Sequence, residues 1–213
     1  MLALLFLLAG GNDLFEIEVY SADTVEAQHL LAEQHFNVTS DNGAHLTYEF
    51  IYGVTNWFEV ATYVATEFAP GSHDYSWEEW RLRVRPRTPD GWPVRASFNI
   101  ETVWTSDGFE SIELRPIWSG RAGRFSVDAA PGVEIDHDGF AEFAPELKGA
   151  VDVGHDVLVG VEYFGAWRSE WHQIYGVVDV VHWKSVEINL GVGFGLTDVS
   201  GGLVAKSVLG YLF

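Results

Sequence analysis

Arg81, Arg83 and Arg85 alternate with Leu82 and Val84, so in an extended strand all three guanidinium groups share one face. Guanidinium groups bind carboxylates and anionic solutes through paired, charge-assisted hydrogen bonds. Arg95, Arg115 and Arg124 on the following segments extend the three into a basic sector, interleaved with Glu101, Glu113, Asp128 and Glu134. Two chemistries suit such a set. One is a network of Arg–carboxylate pairs closing a narrow interior; the other is a selectivity track that attracts anions, as charged rings do in pores. Arg81, Arg83, Arg85, Arg95, Glu101, Glu113 and Arg115 form the candidate charge cluster on either view.

Gly191, Gly193 and Gly195 likewise share one face of a strand, with Leu190, Val192, Phe194 and Leu196 on the other. Three successive positions without side chains make a smooth wall, which suits either a conduit or curvature and room for large side chains opposite. In a ring of twelve strands this wall faces the Arg95, Asn99 and Glu101 surface. Weaker constellations remain. His35 and His45, with Glu33 and Glu49 nearby, form a conceivable metal site across a first hairpin, but two wet histidines need no metal and no third ligand stands at firm spacing, so none is assigned. Ser169 near His172 is the nearest approach to a hydrolytic pair, and it lacks an orienting third member. No phosphate-cradling loop or dinucleotide fingerprint is present. The expectation is therefore no enzyme and no cofactor.

These residues need strands to position them. The 213-residue chain is 47% hydrophobic and 15% aromatic, yet its mean hydropathy is only +0.04. Apolar residues are thus diluted evenly with polar ones, as alternating strands require and spanning helices forbid. Twelve alternating segments bounded by turn residues are expected near 28–38, 45–53, 57–67, 77–86, 93–104, 110–118, 124–134, 140–151, 156–164, 173–183, 186–196 and 202–213. In one, Leu46, Tyr48, Phe50 and Tyr52 alternate with Thr47, Glu49 and Gly53; in another, Val94, Ala96, Phe98 and Ile100 alternate with Arg95, Ser97, Asn99 and Glu101.

Alternation alone does not distinguish a soluble sandwich or lipocalin-like barrel from a membrane barrel. Three features favour the membrane. Strands are long and evenly spaced. Trp57, Phe58, Trp80, Trp92, Trp104, Trp118, Trp171 and Trp183 fall towards strand ends, like interfacial girdles. The sequence closes on a strand with Leu203, Ala205, Leu209, Tyr211 and Phe213 on one face and Lys206 and Gly210 on the other; Leu209, Tyr211 and Phe213 read as an assembly signal for the barrel-assembly machinery. This last strand must pair with the first, keeping Lys206 inside.

The fold expected is all-β, a single antiparallel up-and-down transmembrane barrel over residues 28–213. Residues 1–11 read as a candidate signal peptide, Met1 to Leu8 being apolar and Ala9-Gly10-Gly11 small. Residues 12–27 form an N-terminal segment, a plug for the lumen or an added edge. A net charge of -19 with 12 basic residues argues against nucleic acid, and zero cysteines rule out disulfides and thiolate metal sites. An acidic exterior suits outer-leaflet lipopolysaccharide and equally serves solubility.

The stretches YEFIYGVTNWFEV (Tyr48 to Val60), LGVGFGLT (Leu190 to Thr197) and the closing KSVLGYLF resemble the bacterial outer-membrane barrels grouped as transporters with the meta-pathway phenol-degradation proteins. The likeness runs from about Glu16 to the end, and its motifs are structural. It implies uptake or efflux of small, often hydrophobic or aromatic compounds. The function expected is a passive channel or transporter in the bacterial outer membrane for small hydrophobic or anionic solutes, with outer-membrane lipid as its surroundings. The alternative is a closed structural or surface-interaction barrel held by lumen ion pairs, and after it an outer-membrane hydrolase.

Overall fold

The computed structural model describes residues 17–40, 43–68, 75–89, 95–183 and 185–213. Twelve strands follow one another along the chain: β1 (Leu30–Thr39), β2 (Ala44–Thr55), β3 (Phe58–Phe68), β4 (Tyr75–Pro86), β5 (Arg95–Thr105), β6 (Gly108–Ala122), β7 (Phe125–Asp136), β8 (Ala141–Gly154), β9 (Val157–Ala166), β10 (Trp171–Trp183), β11 (Val186–Gly195) and β12 (Leu203–Leu212). Each pairs antiparallel with its sequence neighbours, and β12 closes on β1. The closing register sets Asn37 opposite Lys206 and Ala32 opposite Tyr211. Backbone bonds continue it to the last residue, Phe213 N donating to Leu30 O at 2.8 Å. Closure leaves no free sheet edge, the condition for strands to stand in hydrocarbon.

Polarity decides which side of the wall is which. The residues removed from solvent include an unusual number of charged and amide groups: Glu33, His35, Glu49, Glu59, Arg83, Arg85, Glu101, Glu162, Asp179, Asn189 and Lys206. Those left exposed are apolar: Tyr48, Phe50, Tyr52, Leu82, Phe98, Val159, Val161, Leu190, Val192 and Phe194. This is the inverse of a soluble barrel, whose sealed face would be greasy. Strands of 10 to 15 residues match or exceed the 9–11 that a tilted strand needs to cross a bilayer. Exposed aromatics mark both ends. Trp57, Trp118, Phe125 and Tyr211 stand at the end that holds Leu30 and Phe213; Trp104, Phe109, Phe140 and Trp167 stand at the other.

One expected girdle residue turns the other way: Trp171 packs inward, against the apolar cluster of Ile17, Val19, Phe164, Tyr175, Val177 and Val204. It stands at the start of β10 on the same face as Gln173 and Tyr175, a parity that its nearness to a strand end had masked. Trp92 and the candidate signal peptide lie outside the described residues, and of Trp183 only the backbone is described. The hairpins are short. At His155–Asp156 both residues take φ of 59°, the double left-handed conformation of a type I′ turn whose twist matches the flanking strands.

Residues 17–29 lie against the inner wall. Ile17 and Val19 are buried in the cluster just described, and Ala22 is buried with Ile117 and Ala130. Gly53 makes that approach possible: a Cβ there would stand 2.6 Å from the Val25 carbonyl oxygen, closer than real atoms approach. Gln28 N donates to Gly53 O at 2.7 Å, and Gly53 N to His29 O at 3.1 Å, tying the segment to β2 just before β1 begins.

Candidate functional site: the charged lumen

The inward positions meet in three knots of charge. In the first, Arg81 donates to Glu101 at 2.9 Å, Glu101 also accepts the Tyr63 hydroxyl, and that hydroxyl accepts from Arg83 Nη1 at 3.1 Å. Arg83 Nη2 stands 2.5 Å from Glu49 and 3.6 Å from Glu59. Arg85 sends Nε and Nη2 to the same Glu59 oxygen at 2.7 and 2.6 Å. Four strands, β2 to β5, are thereby cross-linked on the inside.

In the second knot Arg115 grips Glu113 with two nitrogens, at 2.7 and 2.5 Å, and reaches Glu146 at 2.6 Å and the Ala144 carbonyl at 3.1 Å. Gly132 permits this, since a Cβ there would stand 2.9 Å from the guanidinium carbon. In the third, Lys148 stands 2.9 Å from both Glu162 and Asp179, Lys206 pairs with Glu162, and the Asn189 amide donates to Asp179 at 2.5 Å and Glu162 at 3.3 Å. Charged hydrogen bonds of this kind, held out of water by the wall, exceed neutral ones in strength.

The N-terminal segment is bound into the same network. The Tyr20 hydroxyl donates to Glu49 at 2.8 Å, and the Arg83 guanidinium sits 4.7 Å above the Tyr20 ring. Lys206 Nζ donates to the Ile17 carbonyl at 2.6 Å, Arg85 Nη1 to the Ser21 carbonyl at 3.3 Å, and Val25 N to Glu59 at 2.8 Å. Beside the segment a cavity of about 60 Å³ remains, with room for several water molecules. Its charged lining is Glu18, Glu101, Glu113, Glu134 and Glu146 against Arg81 and Arg115.

The expected charge cluster is thus distributed among these partners. Arg81, Arg83, Arg85 and Arg115 are buried in it, with Glu101 buried and Glu113 half-buried beside them. Arg95 keeps the inward parity, but at the rim; it is exposed and pairs with Asp23 of the N-terminal segment. Arg124 leaves the sector altogether: it sits in the exposed hairpin after β6, its Nε donating to the Asp152 carbonyl at 2.6 Å. Gly191, Gly193 and Gly195 share the inward face, and neighbours fill the space above them. A Cβ on Gly191 would stand 2.7 Å from Lys206 Cε, one on Gly193 would run into the Tyr175 ring, and one on Gly195 would meet Ser200 at 2.7 Å.

Ser169 and His172 are engaged elsewhere: Ser169 Oγ reaches the Ala166 carbonyl at 3.4 Å, while His172 Nδ1 bonds the Tyr163 hydroxyl at 2.8 Å. His35 and His45 are both buried on the inward face, His35 opposite Thr47 and His45 opposite Asn37. Sequence reasoning passed over Lys148, Glu162 and Asp179, the core of the third knot. Parity held the signal, for each shares a strand face with an inward neighbour: Glu146, Phe164 and Tyr175 respectively.

Inverted polarity and a closed twelve-stranded wall define a membrane-spanning β-barrel of the bacterial outer-membrane type. No protein-family model matches the sequence, and no curated protein does. Solved structures match the fold. An outer-membrane channel from Pseudomonas putida F1 superposes with a TM-score of 0.63 at 7% identity, over 93% of this chain and all of that one. The NanC porin follows at 0.56 and 8% identity, over 86% of this chain and 98% of its own. Outer-membrane phospholipase A from Escherichia coli reaches 0.50 at 10% identity, over 92% of each chain. At such identities the likeness is one of architecture, shared by channels and an enzyme alike.

Proposed function

We propose that the protein is a passive outer-membrane channel for small polar solutes, with a preference for cations set by the carboxylates of its lumen. The observation carrying this reading is the cavity between the N-terminal segment and the β4–β10 wall, where five carboxylates face two guanidinium groups. Rings of acidic side chains in a low-dielectric wall raise the local concentration of cations. Arg81, Arg83, Arg85 and Arg115, which by sequence suggested an anion track, are each paired with carboxylates, which weakens their pull on a passing anion. Likeness in fold to a channel and a porin supports conduction. The sequence resemblance to phenol-degradation transporters adds hydrophobic aromatic solutes as a second class, which so charged a lining admits less readily.

A second reading has its own observation. The three knots link strands around the inner wall and the N-terminal segment is bonded to two of them, as a closed structural barrel requires. Planar-bilayer recording separates the two. The channel reading expects small conductance steps whose reversal potential in a salt gradient shows cation preference, reduced in Glu113→Gln and Glu146→Gln. Silence in the wild type, persisting when residues 12–27 are deleted, would establish the closed barrel instead.

A further inference from the structure

His35 projects from β1 into the lumen, fully buried, and among the described residues neither ring nitrogen has a hydrogen-bond partner. Its Nε2 lies 3.6 Å from Glu33 Oε2 and 3.6 Å from Glu49 Oε2, too far for a hydrogen bond and too near for indifference. Glu33 Oε2 and Glu18 Oε2 are equally without a hydrogen-bond partner among the described residues. Ligand atoms of Glu18, Glu33 and His35 all fall within 4.8 Å of one another. A buried imidazole and two buried carboxylate oxygens left without hydrogen bonds are costly unless something stands between them.

The His35–Glu33 gap matches what a bound metal ion would span. Two bonds of about 2.0–2.1 Å at the tetrahedral angle place their ligand atoms about 3.4 Å apart, close to the separation seen between His35 and Glu33. We propose that Glu18, Glu33 and His35 bind one divalent transition-metal ion, best Zn²⁺, fastening the N-terminal segment to β1. One imidazole and two carboxylates suit zinc, whereas calcium and magnesium favour all-oxygen sets. Glu49 Oε2 offers a fourth oxygen at the same distance from Nε2, although Tyr20 already donates to it at 2.8 Å. Lys148 and Lys206 act on Glu18 electrostatically but are occupied by Glu162 and Asp179. Glu18 also lines the cavity beside the segment, which gives an ion a way in.

The same groups can instead share protons, and the experiment separates the two. Chelator-stripped barrel, refolded in detergent, is titrated with Zn²⁺ by calorimetry and with Co²⁺ by visible absorption. Expected are one ion per chain, a tetrahedral Co²⁺ spectrum, and affinity at least tenfold weaker in His35→Gln and Glu18→Gln, with exposed Glu110→Gln as the unchanged control. Where His35→Gln fails to refold, judged by loss of the heat-dependent gel shift, Glu18→Gln decides, because residue 18 lies outside the barrel wall. No saturable uptake by the wild type, or a loss under tenfold in Glu18→Gln, overturns the site. Metal uptake is read without any current, so it stands or falls separately from the channel reading.

Discussion

Arg83 is 1% exposed and reaches Glu49, Glu59, Tyr63 and Tyr20. A cation so placed has given up its hydration, and what offsets that loss is the set of carboxylates around it. Arg83→Met would leave Glu49, among the described residues, with Tyr20 and with His35 at 3.6 Å, while Glu59 would keep Arg85. Breaking a buried pair in this way costs about 3–5 kcal/mol, and the retained partners place this case at the lower end. Chemical denaturation of the refolded barrel checks it. The double variant Arg83→Met/Glu49→Gln is expected to recover part of the loss, since the orphaned charge goes with its partner.

At the scale of elements, the N-terminal segment is bonded to side chains from one arc of the wall, running from β12 past β1 to β4: Lys206 on β12, Glu49 on β2, Glu59 on β3 and Arg85 on β4. Its buried apolar residues fall into two patches, one against β9, β10 and β12 and the other against β6 and β7. If this segment limits the current path, deleting residues 12–27 raises single-channel conductance severalfold without unfolding the barrel, whose wall bonds are independent of it. Unchanged conductance would place the path elsewhere. Gly53 supplies a complementary test. Gly53→Val puts bulk where the Val25 and Glu26 carbonyls lie, so protease sensitivity of residues 17–29 is expected to rise while the heat-dependent gel shift persists.

For the whole molecule the governing quantity is the sign of the environment on each face. Leu190 is 51% exposed on β11, whereas Asn189 beside it is buried among Asp179 and Glu162. Leu190→Arg should therefore destabilise the barrel by about 2–4 kcal/mol in lipid, the range for a cation near the bilayer midplane, and much less in a polar interfacial position. Unfolding in vesicles measures this. A soluble barrel would instead tolerate the arginine and improve in solubility.

Strand number and boundaries were largely legible because alternation has a period of two and tolerates little error once one face is greasy. The closing pair was legible for the same reason: Lys206 could only face inward if Leu203, Ala205 and Tyr211 faced out. The charge sector was legible strand by strand, since Arg81, Arg83 and Arg85 share a face whatever lies beside them. Their partners were not, because pairing inside a barrel depends on register and on what crosses the lumen. Glu59, Glu49 and Tyr20 meet Arg83 and Arg85 from two other strands and a segment 29 residues before Glu49. Arg124 misled for a related reason, one residue of hairpin placement carrying it from the lumen to the rim.

By itself, then, the sequence determined an alternating all-β chain of twelve strands with a polar and an apolar face, since local periodicity is written in consecutive residues. Only the tertiary structure decided that the lumen arginines are neutralised, that the glycines of β11 lie beneath Lys206 and Tyr175, and that Glu18 joins Glu33 and His35. Those are contacts between residues far apart in the chain. Closure of the ring and the path of the segment through it set their distances.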